Sequence, residues 1–274
     1  LQFSIKYKEN SGIQSFSGYD KLDITPQKQF AEAKYNWSFY NAPIVFSDEE
    51  IAKNSGAERQ LDLIKSRIKA AEEDLRNKLN VDMYADGTGN NGKNMLGLAA
   101  IVSTSPTSGI LGGIDRAVDT FWQNKADTAT GAWGSATNLY GRKDTDEMFT
   151  NIRVGRTMPD LYLLSKEAFR GLKAELETVE RGESNFKERK SWGLIDISIN
   201  GMDGVYDEVC TSGYAYMLNT DYLQLTVHSQ YNFKPIPAQR PDDQAAFVQH
   251  IRVGLQLTTD RPASHGVISG ITVA

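Results

Sequence analysis

The feature that most constrains this chain is a long amphipathic helix that runs directly into a glycine-rich turn. Leu61, Ile64, Ile68, Ala71, Leu75 and Leu79 recur at three- and four-residue steps and form one apolar stripe. Glu72 with Arg76, and Asp74 with Lys78, set acids before bases on the solvated side. Ser47 with Glu50, and Ser55 with Glu58 after Gly56, are two capping-box patterns, so the helix starts at one of them or kinks between them. Counted from Asp48 to Asn80 it is roughly 45–50 Å long at 1.5 Å per residue. The stripe ends too soon for a sustained coiled coil, and a helix spanning a flat domain fits it better.

The turn reads Asp86-Gly87-Thr88-Gly89-Asn90-Asn91-Gly92-Lys93, followed by Gly97-Leu98. Gly87, Gly89 and Gly92 satisfy G-x-G-x-x-G, and from Gly87 the phosphate-cradling pattern G-x-x-x-x-G-K-[ST] fails only at Asn94. Both nucleotide motifs require a buried strand before the glycines and a helix after them, whose N-terminus faces phosphate. Here a helix precedes the glycines, and Leu98 to Ser103 reads as an apolar, strand-like run. Asp86, Gly87, Thr88 and Gly89 are therefore expected to form a structural turn, with Gly87 and Gly89 holding backbone angles that side chains resist. No nucleotide or other cofactor is expected there.

Composition narrows the remaining chemistry. The 274 residues can bury a sizeable core, and no apolar run approaches the about eighteen residues of a helical membrane span, so a soluble protein with no membrane partner is expected. The single cysteine, Cys210, reads as a buried small hydrophobe. A net charge of −5 without any Lys/Arg cluster argues against strong nucleic-acid adhesion. His228, His250 and His265 have no metal-ligand spacing, and no metal site is supported. Asp144, Asp146 and Glu147 read as a solvated loop, and no nucleophile elbow is present. Asp242-Asp243 beside Pro241 reads as a turn, and residues 180–183 and 187–190 as mixed-charge faces.

Residues 1 to about 46 do not read as a compact domain. Tyr35, Trp37 and Phe39 alternate with polar residues as a strand with one apolar face, and Asp23 to Gln29, with Pro26, suits a hairpin tip. That face needs a partner surface, in this chain or in another. Beyond the turn the pattern is α/β. Strands are expected at Met158 to Leu164, Lys190 to Asn200, Tyr214 to Asn219, Leu223 to Val227, Phe247 to Leu257 and Val267 to Val273. Ser165 caps a helix running to about Val179, and Asn200-Gly201 marks a tight turn.

The D-G-T-G…G-L turn after a spine-length helix resembles the one in major capsid proteins of tailed bacteriophages, whose HK ninety-seven-like fold is shared with encapsulins and herpesvirus capsid floors. Gly112-Gly113-Ile114-Asp115-Arg116 with Trp122 resembles a second pattern of that family, and Thr259-Asp260-Arg261-Pro262 before Gly266 and Gly270 a third. The resemblance implies an α+β fold divided into an N-terminal arm at 1–12, an extended loop hairpin at 13–46, a peripheral domain at 47–100 and 223–274, and an axial domain at 101–222. It implies a non-enzymatic shell subunit. Its partners would be copies of itself as pentamers and hexamers, portal, scaffolding or cement proteins, and packaged double-stranded DNA held without sequence specificity. It places the protein in the virion capsid, assembled in the host cytoplasm. A chain opening on Leu1 fits a capsid subunit trimmed of its scaffolding segment. Phe16, Phe30, Tyr35, Trp37 and Phe39 are expected at an inter-subunit interface. An encapsulin-type compartment is the alternative, and a nucleotide-using enzyme built on the glycine turn a third. Shell-welding isopeptide bonds, which the resemblance would draw from Lys21, Lys28 or Lys34, lack their partners: the sequence reads Gln244-Ala245-Ala246-Phe247-Val248 where an asparagine and a glutamate would stand.

Overall fold

A computed structural model describes residues 1–274 except 24, 54–56, 136, 156, 181–196 and 243, and no side chains at 51, 57–61, 63 and 177–180. The Ser55/Glu58 capping box, the strand expected at 190–196, the two mixed-charge faces and Asp243 lie outside the described residues. In chain order, β1 is Gln2–Lys6, β2 Phe30–Lys34, β3 Ser38–Ser47, β4 Ile110–Leu111 and β5 Ile114–Asp115. Then come β6 at Lys125–Thr128, β7 at Leu161–Leu164, β8 at Ile197–Ile199, β9 at Met202–Tyr206 and β10 at Ala215–Leu218. The last four are β11 Leu223–Val227, β12 Lys234–Gln239, β13 Ala246–Thr259 and β14 Gly266–Ser269.

The helix begins at the first capping box. The Ser47 hydroxyl accepts the Glu50 N–H at 3.2 Å and the Glu50 carboxylate accepts the Ser47 N–H at 3.4 Å, opening a short helix, Asp48–Lys53. The spine helix itself is Ala57–Tyr84. Its stripe lies on a four-stranded sheet in which β13 is central, with β3 along one edge and β11 and β12 along the other. Period-two alternation sends Ile44, Phe46, Ile251, Val253 and Leu255 to one face, where Leu75 and Leu79 cover them.

A second, six-stranded sheet runs in the order β6-β14-β10-β7-β9-β8. Asn200 and Gly201, at φ +54° and +82°, make the expected tight turn between β8 and β9. The Ser165-capped helix is Lys166–Glu180, and a neighbouring helix is Tyr140–Ile152. This last helix holds Asp144, Asp146 and Glu147, so the expected solvated loop is wrong. Asp144 is buried and accepts the Trp133 indole N–H at 2.9 Å and the Thr130 N–H at 3.1 Å. Glu175 is buried too, ringed by the N–H groups of Gly134, Gly141 and Arg142 at 2.8, 3.0 and 2.9 Å. It caps the helix at Tyr140 from a neighbouring helix, satisfying amides that a helix start leaves open.

The end of the chain differs from expectation. After β13 the chain leaves the four-stranded sheet, and β14 enters the six-stranded one between the edge strand β6 and β10, with Val267 and Ile268 fully buried. Residues 223–274 thus serve both sheets. The chain crosses between the sheets at 219–222 and again at 260–265, and His265 ties the two crossings together. Its Nδ1 accepts the Asn219 N–H at 3.3 Å and its Nε2 lies 3.2 Å from the Thr259 hydroxyl.

Burial pushes the His265 pKa down to about 4, against the Tyr222 backbone and Asp160, which act to raise it. An unfolded histidine titrates near about 6.5, so between the two values the unfolded chain binds a proton that the native chain refuses. Stability from this group is complete above about pH 6.5 and is lost as pH falls toward 4, by up to about 3 kcal/mol. Urea unfolding at stepped pH is expected to show this slope, and His265→Gln to flatten it. An equal slope in the variant would assign the acid sensitivity to other groups.

Candidate assembly surface

The first thirty-five residues form one ribbon. β1 pairs antiparallel with β2, from Gln2 opposite Lys34 to Lys6 opposite Phe30, so the segments expected as separate arm and loop share a two-stranded sheet. Beyond it the loop closes on itself through Ser11 with Gln27 and Gln14 with Lys21. The tip is the Ser17–Asp20 turn, where the Asp20 N–H bonds the Ser17 carbonyl at 3.3 Å. It does not lie at Asp23 to Gln29, because Gln27 already bonds back to Ser11, and Lys28 and Gln29 to Tyr7. Ile13, Phe16, Tyr19 and Leu22 all stand exposed on this loop, Ile13 at 81% and Phe16 at 66%.

The root of the ribbon is fixed in the body. Tyr35 is only 2% exposed, donates its hydroxyl to the Thr259 carbonyl at 2.8 Å, and lies against Gly112, where a Cβ would meet its ring at 3.2 Å. Gly112 and Gly113, at φ +59° and +79°, turn β4 into β5, and the Gly112 carbonyl accepts the Lys34 N–H at 2.8 Å. Trp122 closes the socket, its indole N–H on the Leu111 carbonyl at 2.9 Å. Arg116, buried, donates to the Ala100 and Ile101 carbonyls at 2.9 and 2.6 Å, and burial lowers its pKa. The family-like pattern Gly112 to Arg116 with Trp122 is therefore the socket of the ribbon.

Tyr35, Trp37 and Phe39 do not share one exposed face. β2 ends at Lys34 and β3 starts at Ser38, so the expected alternation breaks, and Tyr35 faces the chain's own core. This removes Tyr35 from the expected interface. Trp37 is half-buried with its ring edge-on to His228 at 5.1 Å. Phe39 is 57% exposed and lies over Gly254, where a Cβ would meet its ring at 2.7 Å. Phe30 is exposed as well, on β2.

The glycine turn is held by its own hydrogen bonds. The Asp86 carboxylate accepts the Thr88 N–H at 3.0 Å and its hydroxyl at 2.8 Å, and these bonds lower the Asp86 pKa. Gly87 takes φ +82° as expected, whereas Gly89 needs no positive φ; a Cβ there would instead meet the Asn94 amide at 2.6 Å. Asn90 and Asn91 occupy the left-handed region, and the N–H groups of Gly92, Lys93 and Asn94 bond the carbonyls of Thr88, Asn90 and Gly89. A phosphate would find these amides taken. Leu98 to Ser103 is not a strand, since Leu98–Ile101 forms a single helical turn buried under Tyr84 and Trp122.

Two residues of this region carry more than the sequence reading assigned them. Asp82, 2% exposed, accepts the Tyr40 hydroxyl at 2.9 Å, the Lys78 ammonium at 2.7 Å and the Asn94 amide at 3.3 Å. Tyr40 in turn accepts the Met95 N–H at 2.9 Å. The available signal was an acid three residues beyond Leu79 on the apolar stripe. Gly97 lies where a Cβ would overlap the carbonyl oxygens of Asp82, Met83 and Ala85, so only glycine lets the chain cross the helix end.

No family model matches the sequence, and no curated protein matches it. Solved structures do. The "Cyanophage A-1(L) capsid asymmetric unit" is similar at TM-score 0.74 and 16% identity, covering 99% of this chain and 88% of that one. "Mycobacterium phage Bobi" gives 0.63 at 11% identity, over 98% and 84%. The holo-SrpI encapsulin complex from Synechococcus elongatus PCC 7942 gives 0.60 at 11% identity, over 100% and 83%.

Gly97→Ala is expected to lower subunit stability by about 3 kcal/mol or to abolish folding, because backbone must move to admit the methyl. Lys93→Ala is expected to leave stability nearly unchanged. Calorimetric titration with ATP should give no binding heat for either wild type or Lys93→Ala. Micromolar binding lost in Lys93→Ala would overturn the structural reading of the turn. With ribbon, socket, spine helix and two sheets in this order, the chain has the HK ninety-seven-like fold of these capsid and encapsulin structures.

Proposed function

We propose that this chain is the major capsid protein of a tailed bacteriophage, a non-enzymatic subunit that self-assembles as pentamers and hexamers into an icosahedral shell around double-stranded DNA. The observation that carries this reading is the cluster of exposed Ile13, Phe16, Tyr19 and Leu22 on one ribbon whose root is rigidly socketed. Water-exposed apolar side chains at that density favour a cover, and in a shell a neighbouring copy supplies it. Phe30 at the loop end of β2, and Phe39 and Trp37 beyond the root, are the further aromatic side chains of this reading. The division into peripheral and axial domains follows the two sheets, with β14 assigned to the axial one.

The acidic balance suits a wall that must let its genome slide, and contacts to DNA would be nonspecific. Portal, scaffolding and cement proteins are the further partners of this reading, with assembly in the host cytoplasm. The fold likeness to an encapsulin supports a protein compartment as the second reading, which the nucleic-acid content of particles from infected cells would separate.

Electron microscopy of the expressed protein is expected to show closed shells. The double variant Phe16→Ser with Tyr19→Ser should remain a folded subunit of unchanged thermal midpoint that no longer closes, since each buried interface aromatic is worth about 2 kcal/mol and the loss recurs at every copy. Normal shells from that variant would exclude the ribbon as the main contact. Boiled in detergent, particles should run as one band near 30.4 kDa, because Lys21, Lys28 and Lys34 lack the partners of an isopeptide bond. A ladder of multimers would reveal crosslinking.

A further inference from the structure

The ribbon has a second, unused side. At its base the Leu1 ammonium and the Tyr35 N–H exchange bonds with the opposite carbonyls, both at 2.8 Å, and the Tyr7 N–H bonds the Gln29 carbonyl at 3.0 Å. Odd residues of β1 therefore bond β2. By the alternation of an antiparallel ladder, the N–H and C=O groups of Gln2, Ser4 and Lys6 point to the other edge. That edge borders a groove of about 530 Å³, lined by Ser4, Lys6, Lys8, Phe121, Tyr222 and Arg261 among others. Its floor is aromatic: Phe121 stacks on Tyr7 with ring centres 4.6 Å apart, and the Arg261 guanidinium lies 5.4 Å from the centre of the Tyr222 ring.

The charge of the groove selects its occupant. Lys6, Lys8 and Arg261 line it, and none of them forms an ion pair among the described residues. Glu9 and Asp260 are the acids alongside, so the lining holds three cationic side chains against two acidic ones. A chain of net charge −5 thus presents a local cationic strip beside an open strand edge. An extended segment bearing carboxylates on one face and apolar side chains on the other satisfies edge, cations and aromatic floor at once.

We propose that the free edge of β1 is a docking site for an acidic, extended segment of another polypeptide, which adds to the ribbon as a third strand. The incoming strand bonds the outward groups of Ser4 and Lys6. Its carboxylates reach Lys6, Lys8 and Arg261, and its apolar positions lie on Phe121.

The test uses assembled particles of the full chain and two synthetic probes, acetyl-Glu-Val-Glu-Val-Glu-Val-amide and its Lys-for-Glu counterpart. The acidic probe is expected to bind and to slow hydrogen exchange at the Gln2, Ser4 and Lys6 amides, with the basic probe about tenfold weaker or silent. Lys6→Glu should weaken the acidic probe about tenfold. Ser4→Pro removes an outward N–H while leaving the β1–β2 ladder intact, and should abolish exchange protection with shells unchanged. Equal binding of both probes, protection confined to other amides, or preference for a single-stranded oligonucleotide would overturn the proposal. So would Ser4 and Lys6 amides already protected in particles without probe, since a neighbouring copy would then own the edge. If Ser4→Pro disrupts the ribbon, the Lys6→Glu result decides alone.

Discussion

The Asp82 carboxylate is the point on which the other elements depend. Burying a charge costs several kcal/mol unless donors surround it, and this one takes donors from β3, its own helix and the glycine turn. Tyr40, Lys78 and Asn94 all bond this one carboxylate, so one residue ties three segments together. With the helix end placed, Gly97 lets the chain cross it and the Leu98–Ile101 turn enters the core. The carbonyls of Ala100 and Ile101 then receive Arg116, which positions the β4–β5 turn against Tyr35. The direction in which the ribbon leaves the body is thus the far end of a hydrogen-bonded sequence that begins at one buried acid.

Much of the secondary structure was legible because period and caps are local properties. The Ser47/Glu50 box, the spine stripe, the Ser165 cap, the Asn200-Gly201 turn and strands β7, β10, β11 and β13 all stand where those signals lie. What was not legible depended on which surface a segment meets. Tyr35 and Phe39 have the same spacing as any strand pair, but a break at residues 35–37 turns one into the socket and leaves the other in water. Asp144 reads as a solvated acid until Trp133 and Thr130 fold over it. β14 looks like one more terminal strand, and only the burial of Val267 and Ile268 between β6 and β10 decides its sheet. The ribbon surface itself was partly legible. Phe16 and Phe30, named for an interface, stand exposed, and so do Ile13, Tyr19 and Leu22, which recur with Phe16 at three-residue steps that fit no strand.

The two sheets are joined by chain crossings in both directions, and this shapes what a subunit can do. A body stapled at 219–222 and 260–265, with His265 between the crossings, resists independent drift of its halves. A shell of many copies needs that rigidity, because small errors of angle accumulate around a closed surface. A shell of pentamers and hexamers, as proposed, would also need a contact that fits both environments. The ribbon loop is where such a fit would be made: its described residues between 8 and 29 bond mainly to one another and not to the socket.

The glycine turn shows why a short motif misleads. Nucleotide loops use glycine to bring backbone close to phosphate with the amides free to bind it. This turn uses glycine to bring backbone close to backbone at Gly97, against the helix end, and close to the Asn94 side chain at Gly89, with the amides of Thr88, Gly92, Lys93 and Asn94 already bonded. Residue type records the close approach and does not record what is approached. That information resides in the element order, because a helix arriving at the glycines presents carbonyls, whereas a helix departing from them presents N–H groups. Here the carbonyl end arrives, and the glycines close a protein surface where they would otherwise open an anion site.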